Sequence, residues 1–237
     1  MIALTKGTTP DWVMTNQAKE TAKYVAWTER ADDVGTKNAG TEPSPWRRED
    51  IKDALIVESN HGKCVYCESR MLHVTFGDVE HYKPKSRFPE AVLRWENLGL
   101  ACGKCNNEKL AQWSDDAPIV WPYQDDPNEH FSFSGPFLQA KTARGRSTLK
   151  HVRLNDRVEL IEERDGLLRR LERDLEMLAR TRPGHTEITQ RAIRESYTAR
   201  QEYFAFANAY LTEKGITGPT DGTLTTPEIV VVKLENA

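Results

Sequence analysis

The residues able to do chemistry in this sequence are four cysteines and the polar groups set among them. Cys64 and Cys67 form one C-x-x-C pair, Cys102 and Cys105 another, with thirty-four residues between the pairs. Each pair can place two thiolates on one side of a tight knuckle, so the two knuckles close a tetrahedral Zn²⁺ site. A single C-x-x-C would be a weak signal, because redox pairs share it. Two pairs with no cysteine left over make a strong one. Four thiolates leave no open coordination position, so this zinc is structural and holds a finger whose core would otherwise be too small.

The polar residues between the knuckles have a recognisable order: Glu80-His81, then Lys83-Pro84-Lys85-Ser86, then Asn97 ahead of Cys102 and Asn106 directly after Cys105. This order resembles the HNH endonuclease motif, a ββα-metal finger, in its subclass with two zinc knuckles. The resemblance implies that His81 is the general base and that Glu80 beside it binds a catalytic metal. It makes Asn97 the residue that steadies the loop carrying the base, and Asn106 the second metal ligand. Glu stands where Asp is common, and Asn where the family name expects His. Both offer oxygen, which suits Mg²⁺ or Mn²⁺.

Phosphodiester hydrolysis needs an activated water, charge neutralisation on the phosphate and a stabilised leaving oxygen. An imidazole titrating near neutrality can take the proton, and a hard cation on one carboxylate and one amide keeps open positions for the phosphate. Lys83, Lys85, Arg87 and Lys109 then stand where phosphates could be gripped. His73 is the alternative base, but it lacks the flanking pattern. His61 reads as part of a helix-ending turn.

These groups must be positioned by the rest of the chain. With 38% hydrophobic and 29% charged residues over 237 positions, the sequence can bury a core, and no apolar run approaches the roughly 20 residues that span a bilayer. With no secretory leader pattern and every cysteine in a knuckle, the expected location is the cytoplasm. A formal net charge of -3 is unusual for a protein that binds nucleic acid unaided. Affinity is therefore expected from a local patch or a partner.

The expected fold is α+β and mainly α, with the finger flanked by N-terminal helices and a C-terminal helical hairpin. Segment 1–59 is read as helical, with Thr9-Pro10 and Ser44-Pro45 opening two helices and Trp46, Ile51 and Leu55 forming a buried stripe. Segment 60–115 is the finger, with Met71 to Val79 leading in as a strand and a helix opening at Asn106. There the helix dipole would favour both the metal ligand and the phosphate. Segment 116–155 reads as a loop-rich connector whose Lys141, Arg144, Arg146, Lys150 and Arg153 are either backbone contacts for nucleic acid or a solvated basic loop. Segment 156–237 reads as the helical hairpin. Leu168, Leu171, Leu175 and Leu178 line its first arm, Ile188, Ala192, Tyr197, Phe204 and Leu211 its second, and a strand-like tail EIVVVKL follows.

Beyond the finger, the opening L-x-K-G-x-x-P, the helix running into GKCVYCE, the EHYKPKS string and the segment Val152 to Asn155 resemble one subgroup. It is the PtuB-like HNH nuclease subunits of Septu-type and retron-associated anti-phage systems. That resemblance implies DNA, or alternatively RNA, as substrate and an ABC/SMC-like ATPase as regulating partner. Two other readings stand beside it: a stand-alone restriction-like HNH nuclease, and a zinc-knuckle module that binds nucleic acid or a partner without cutting.

Overall fold

The computed structural model describes residues 1–37, 39–59, 62–73, 75–181 and 183–216. His61 and the EIVVVKL tail lie outside them.

Helix α1 (Asp11–Val34) starts after Pro10 without a side-chain cap. A 3₁₀ turn (Pro45–Arg47) then leads into α2 (Glu49–Glu58), and Trp46, Ile51 and Leu55 are buried as the stripe predicts. The expected strand from Met71 is confined to β1 (Asp78–His81). The stretch after Pro89 forms two 3₁₀ turns, Pro89–Ala91 and Trp95–Asn97, with Leu93 and Trp95 both in the core.

Strand β2 (Leu98–Ala101) pairs antiparallel with β1, Asp78 opposite Ala101 and His81 opposite Leu98. Helix α3 (Gly103–Lys109) completes a ββα unit. It begins three residues before the expected start at Asn106, because the Cys102 sulfur accepts a hydrogen bond from the Cys105 N–H and caps it. Cysteine is not among the usual capping residues, which is why the sequence hides this start. The dipole of α3 therefore faces the cysteine cluster rather than a phosphate.

Within the segment read as a loop-rich connector, residues 114–139 are expected to form a structured loop or short strands, and the segment is ordered. A single turn α4 (Pro127–His130) leads into a hairpin of β3 (Phe131–Ser134) and β4 (Phe137–Ala140), followed by helix α5 (Ala143–Val152). The α5 start is set by Thr142, whose hydroxyl accepts from the Gly145 N–H. Asn155 then uses its side-chain amide as a strand would, donating to the Leu138 carbonyl and accepting from the Leu138 N–H.

Helix α6 (Val158–Ala179) is the first arm of the C-terminal hairpin and buries Leu168 and Leu171, with Leu175 and Leu178 partly buried. The second arm is not continuous. It breaks into α7 (Thr186–Ser196) and α8 (Phe204–Glu213), with Tyr203 in the left-handed region at φ 54° between them. The apolar register shifts as well: Ile193 and Phe206 are buried, whereas Ile188 and Ala192 are exposed.

The break has a job. Lys63, at the first knuckle, donates to the carbonyls of Ala199 and Gln201 at 2.5 and 3.0 Å, and the Ser69 and Tyr203 hydroxyls lie 3.0 Å apart. The C-terminal helices thus brace the finger from behind.

The core runs under β2. Trp121 fills it, donating through its indole N–H to the Glu96 carbonyl, and stacks on Tyr82 at 5.0 Å. A Cβ at Gly99 would stand 2.6 Å from the Trp121 ring, so only glycine lets strand and indole approach this closely.

Candidate active site and metal centre

Two clusters share α3, one at its N-terminus and one along its side. The first gathers Cys64, Cys67, Cys102 and Cys105, whose sulfurs all lie within 4.8 Å of one another. The knuckle turn brings the first pair together: Cys64 N–H donates to the Ser69 carbonyl, and Glu68 supplies the left-handed residue at φ 64°. The N-terminus of α3 brings the second pair. Three of the four cysteines are buried, and Arg157, just before α6, donates to the Cys105 sulfur at 3.3 Å. Burial pushes the Cys64 and Cys105 thiols well up, while hydrogen bonds from neighbouring cysteines pull Cys67 and Cys102 down. Four thiolates packed this closely repel one another, which a bound cation would relieve. The donor set fits a closed, four-coordinate metal ion.

The second cluster opens to solvent. A cleft of about 440 Å³ is lined by Trp46, Arg47, Lys52, Gly77, Asp78, Val79, His81, Lys85 and Asn106. Strand β1 supplies His81 from its end. The His81 Nε2 lies 2.9 Å from the Val92 carbonyl, which can only accept, so Nε2 carries the proton and Nδ1 keeps its lone pair. Trp46 meets the imidazole edge-on with ring centres 5.0 Å apart. Burial, with Lys85 and Lys109 adding repulsion against the opposing Val92 hydrogen bond, brings the His81 pKa down to about 3. The ring is therefore neutral at physiological pH with a free lone pair, but it titrates well below the near-neutral range expected from the sequence, which makes it a weaker base than an imidazole tuned to the working pH.

Asn97 is fully engaged below it. Its carbonyl oxygen accepts from the Lys83 N–H at 2.7 Å, and its NH₂ donates to the carbonyls of Lys83 and Ala91 at 3.2 and 3.0 Å. These three bonds clamp the loop leaving His81 to the turn entering β2.

The two acidic residues of β1 differ. Asp78 and Glu80 alternate onto one face of the strand, and Asn106 and Lys109 share one face of α3. The elements meet in two rungs. Asn106 donates to the Asp78 carboxylate at 3.2 Å in the outer rung, and Lys109 meets Glu80 at 2.6 Å in the inner one. Glu80 is 2% exposed, accepts also from the Tyr66 hydroxyl at 3.1 Å, and does not line the cleft. Burial pushes the Glu80 carboxyl up against the downward pull of Lys109.

Lys109 is 1% exposed and donates to the His81 carbonyl as well, so it braces the base and cannot reach a phosphate. The expectation that it contacts nucleic acid is corrected on that ground. Arg144 is corrected too: its guanidinium is bidentate to Asp125 and donates to the carbonyls of Pro118 and Ile119, which ties α5 to the core.

Of the remaining expected cations, Lys85 lines the cleft and pairs with Glu42. Lys83 is exposed near Phe88, Arg87 pairs with Asp115 at 3.0 Å, Lys141 donates to the Asn128 carbonyl, and Arg146 is exposed on α5. His73 is exposed and does not line the cleft.

Sequence reasoning missed Asp78, Arg47 and Lys52. Asp78 was readable as the residue two before Glu80 on an alternating strand. Arg47 and Lys52 come from the N-terminal segment, and only the tertiary fold brings them to the cleft.

This combination of a ββα unit, a Cys₄ cluster and a histidine beside an oxygen-lined cleft defines an HNH-type finger. Residues 64–112 match the family model described as HNH endonuclease, so the chain carries an HNH endonuclease domain there. Over a longer span it is similar to Septu protein PtuB of Bacillus thuringiensis, with 32% identity over 165 residues, 69% of this chain and 58% of that protein. It is also 24% identical to Septu protein PtuB of Bacillus mycoides (strain KBAB4) over 160 residues, 54% of each chain. The chain thus spans a little over half the length of the curated relatives it matches. Among the described residues, no helix is long and apolar enough to cross a membrane.

Proposed function

We propose that the chain is a metal-dependent endonuclease that hydrolyses phosphodiester bonds of nucleic acid, DNA in the first instance, with His81 as general base. The observation that carries this reading is the His81 ring: neutral, with Nε2 held by Val92, it offers its Nδ1 lone pair in a cleft that holds a carboxylate and an amide. Nδ1 takes the proton of the attacking water. Lys109 holds the His81 carbonyl and Asn97 holds the main chain of Lys83 two residues on, which fixes the base through the backbone that follows it.

Arg47, Lys52 and Lys85 line the same cleft and neutralise the entering phosphodiester. The oxygen donors suit Mg²⁺ or Mn²⁺, which when bound would stabilise charge on the phosphate and the leaving oxygen. The Cys₄ cluster holds Zn²⁺ and keeps the finger folded. The similarity to Septu protein PtuB supports a place in a Septu system, and for the whole protein we propose anti-phage defence with a regulating ATPase partner.

The test is cleavage of plasmid DNA and of RNA by the zinc-loaded chain with Mg²⁺ or Mn²⁺, alone and with the candidate ATPase. Cutting that stops on chelation of the added ion supports the proposal. No cutting under any of these conditions would favour a zinc-knuckle binding module instead.

A further inference from the structure

We infer that the carboxylate that holds the divalent ion is Asp78, partnered by Asn106, and that Glu80 is a positioning residue. The inference rests on the metal-dependent reading above.

Each rung between β1 and α3 pairs a carboxylate of the strand with a side chain of the helix, but that partner is an ammonium in one and an amide in the other. In the inner rung the Glu80 carboxylate already has a cation, the Lys109 ammonium at 2.6 Å, and a hydroxyl donor, Tyr66 at 3.1 Å. A metal ion there would have to displace or abut an ammonium in a site closed to solvent.

Among the described residues, the outer rung pairs with no cation. Asp78 and Asn106 are half-buried, line the cleft together with His81, and touch each other through a single 3.2 Å hydrogen bond. Half a turn of the Asn106 amide exchanges its NH₂ for its carbonyl oxygen. Two oxygens then face each other about 3 Å apart, the spacing of neighbouring ligands around an ion with metal–oxygen bonds of about 2.1 Å. The remaining coordination positions open toward the cleft, where His81, Arg47, Lys52 and Lys85 stand.

Glu80 acts through its neighbours. It fixes Lys109, and Lys109 holds the main-chain carbonyl of His81. The two acidic residues thus divide the work, one binding the ion and the other orienting the base.

The test is Mn²⁺ binding to the zinc-loaded chain, read by the electron paramagnetic resonance signal of free Mn²⁺, independently of cleavage. Asp78→Asn is expected to weaken Mn²⁺ binding by about tenfold or more, and Asn106→Ala to do the same. Glu80→Gln combined with Lys109→Met, which removes the inner rung without stranding a charge, is expected to stay within about twofold of wild type. Glu80→Gln alone serves if the double variant does not fold. Wild-type affinity in Asp78→Asn, or loss of binding in the Glu80 variants alone, overturns the inference and leaves the nuclease reading standing. Absence of Mn²⁺ binding by the wild-type chain overturns both.

Discussion

The cysteine cluster and the cleft use one short helix in opposite ways. At the N-terminus of α3, four cysteine sulfurs gather within 4.8 Å of one another, and Arg157 donates to one of them. Along the side of α3, oxygen donors gather on one flank only and the other opens to solvent. The first arrangement can hold a metal ion but can do nothing further with it. The second can hold an ion weakly and leave it free to meet a substrate. The difference teaches that the sulfur site sets the geometry of the oxygen site, because the helix that carries Asn106 and Lys109 is started by Cys102 and Cys105.

The largest effect expected from breaking this dependence comes at the sulfur site. Cys105→Ser, or removal of the metal by a strong chelator, should unfold the finger and abolish cleavage together, since structural zinc contributes about 10–16 kcal/mol in isolated finger peptides. Metal analysis alongside a thermal melt checks this. A variant that loses its zinc yet keeps its melting temperature would detach the two sites.

A smaller effect is expected at Asn97. Alanine there removes three hydrogen bonds in a buried setting, a loss of about 2–4 kcal/mol, while the sulfur site stays loaded. Denaturant unfolding with zinc quantification reads both. Unchanged stability would contradict the clamp.

The His81 environment predicts a pH response. The folded ring titrates at about 3, whereas the unfolded chain protonates its histidines near 6.5. Between those values the unfolded chain binds more protons, so the His81 contribution to stability rises with pH across the window and is lost as pH falls through it. In an NMR titration of the zinc-loaded protein the His81 ring should remain neutral at pH 5. A midpoint near 6.5 would show the imidazole to be open to solvent.

The smallest effect separates two cations of the connector, one turned to solvent and one tied to the core. Arg146→Ala, on the exposed side of α5, should change stability by no more than about 0.5 kcal/mol, whereas Arg144→Ala should cost about 2–3 kcal/mol through the lost pair with Asp125. Equal melts for the two would remove the distinction drawn between them.

The cysteines, His81 and Asn97 were legible in the sequence because their partners are close along the chain. Knuckle spacing implies its own geometry, and the clamp by Asn97 spans only the loop between the two strands. What stayed hidden depends on packing between elements. Whether Asp78 or Glu80 faces the cleft follows from which residue of α3 meets each of them, and Lys109 looks like a surface cation until the helix buries it. The α3 start was concealed by a sulfur cap, and the cationic wall of Arg47 and Lys52 by the distance in sequence from the motif. The break before α8 was hidden because Tyr203 adopts a left-handed conformation that its type does not announce.

The measurement that tests the central claim most directly is single-turnover cleavage of DNA by wild type and His81→Ala, both at full zinc occupancy and saturating Mn²⁺. The geometry predicts that the variant keeps its fold and its zinc but cuts at least about 10²-fold more slowly. Equal rates would show that His81 is not the base and that the cleft works in another way.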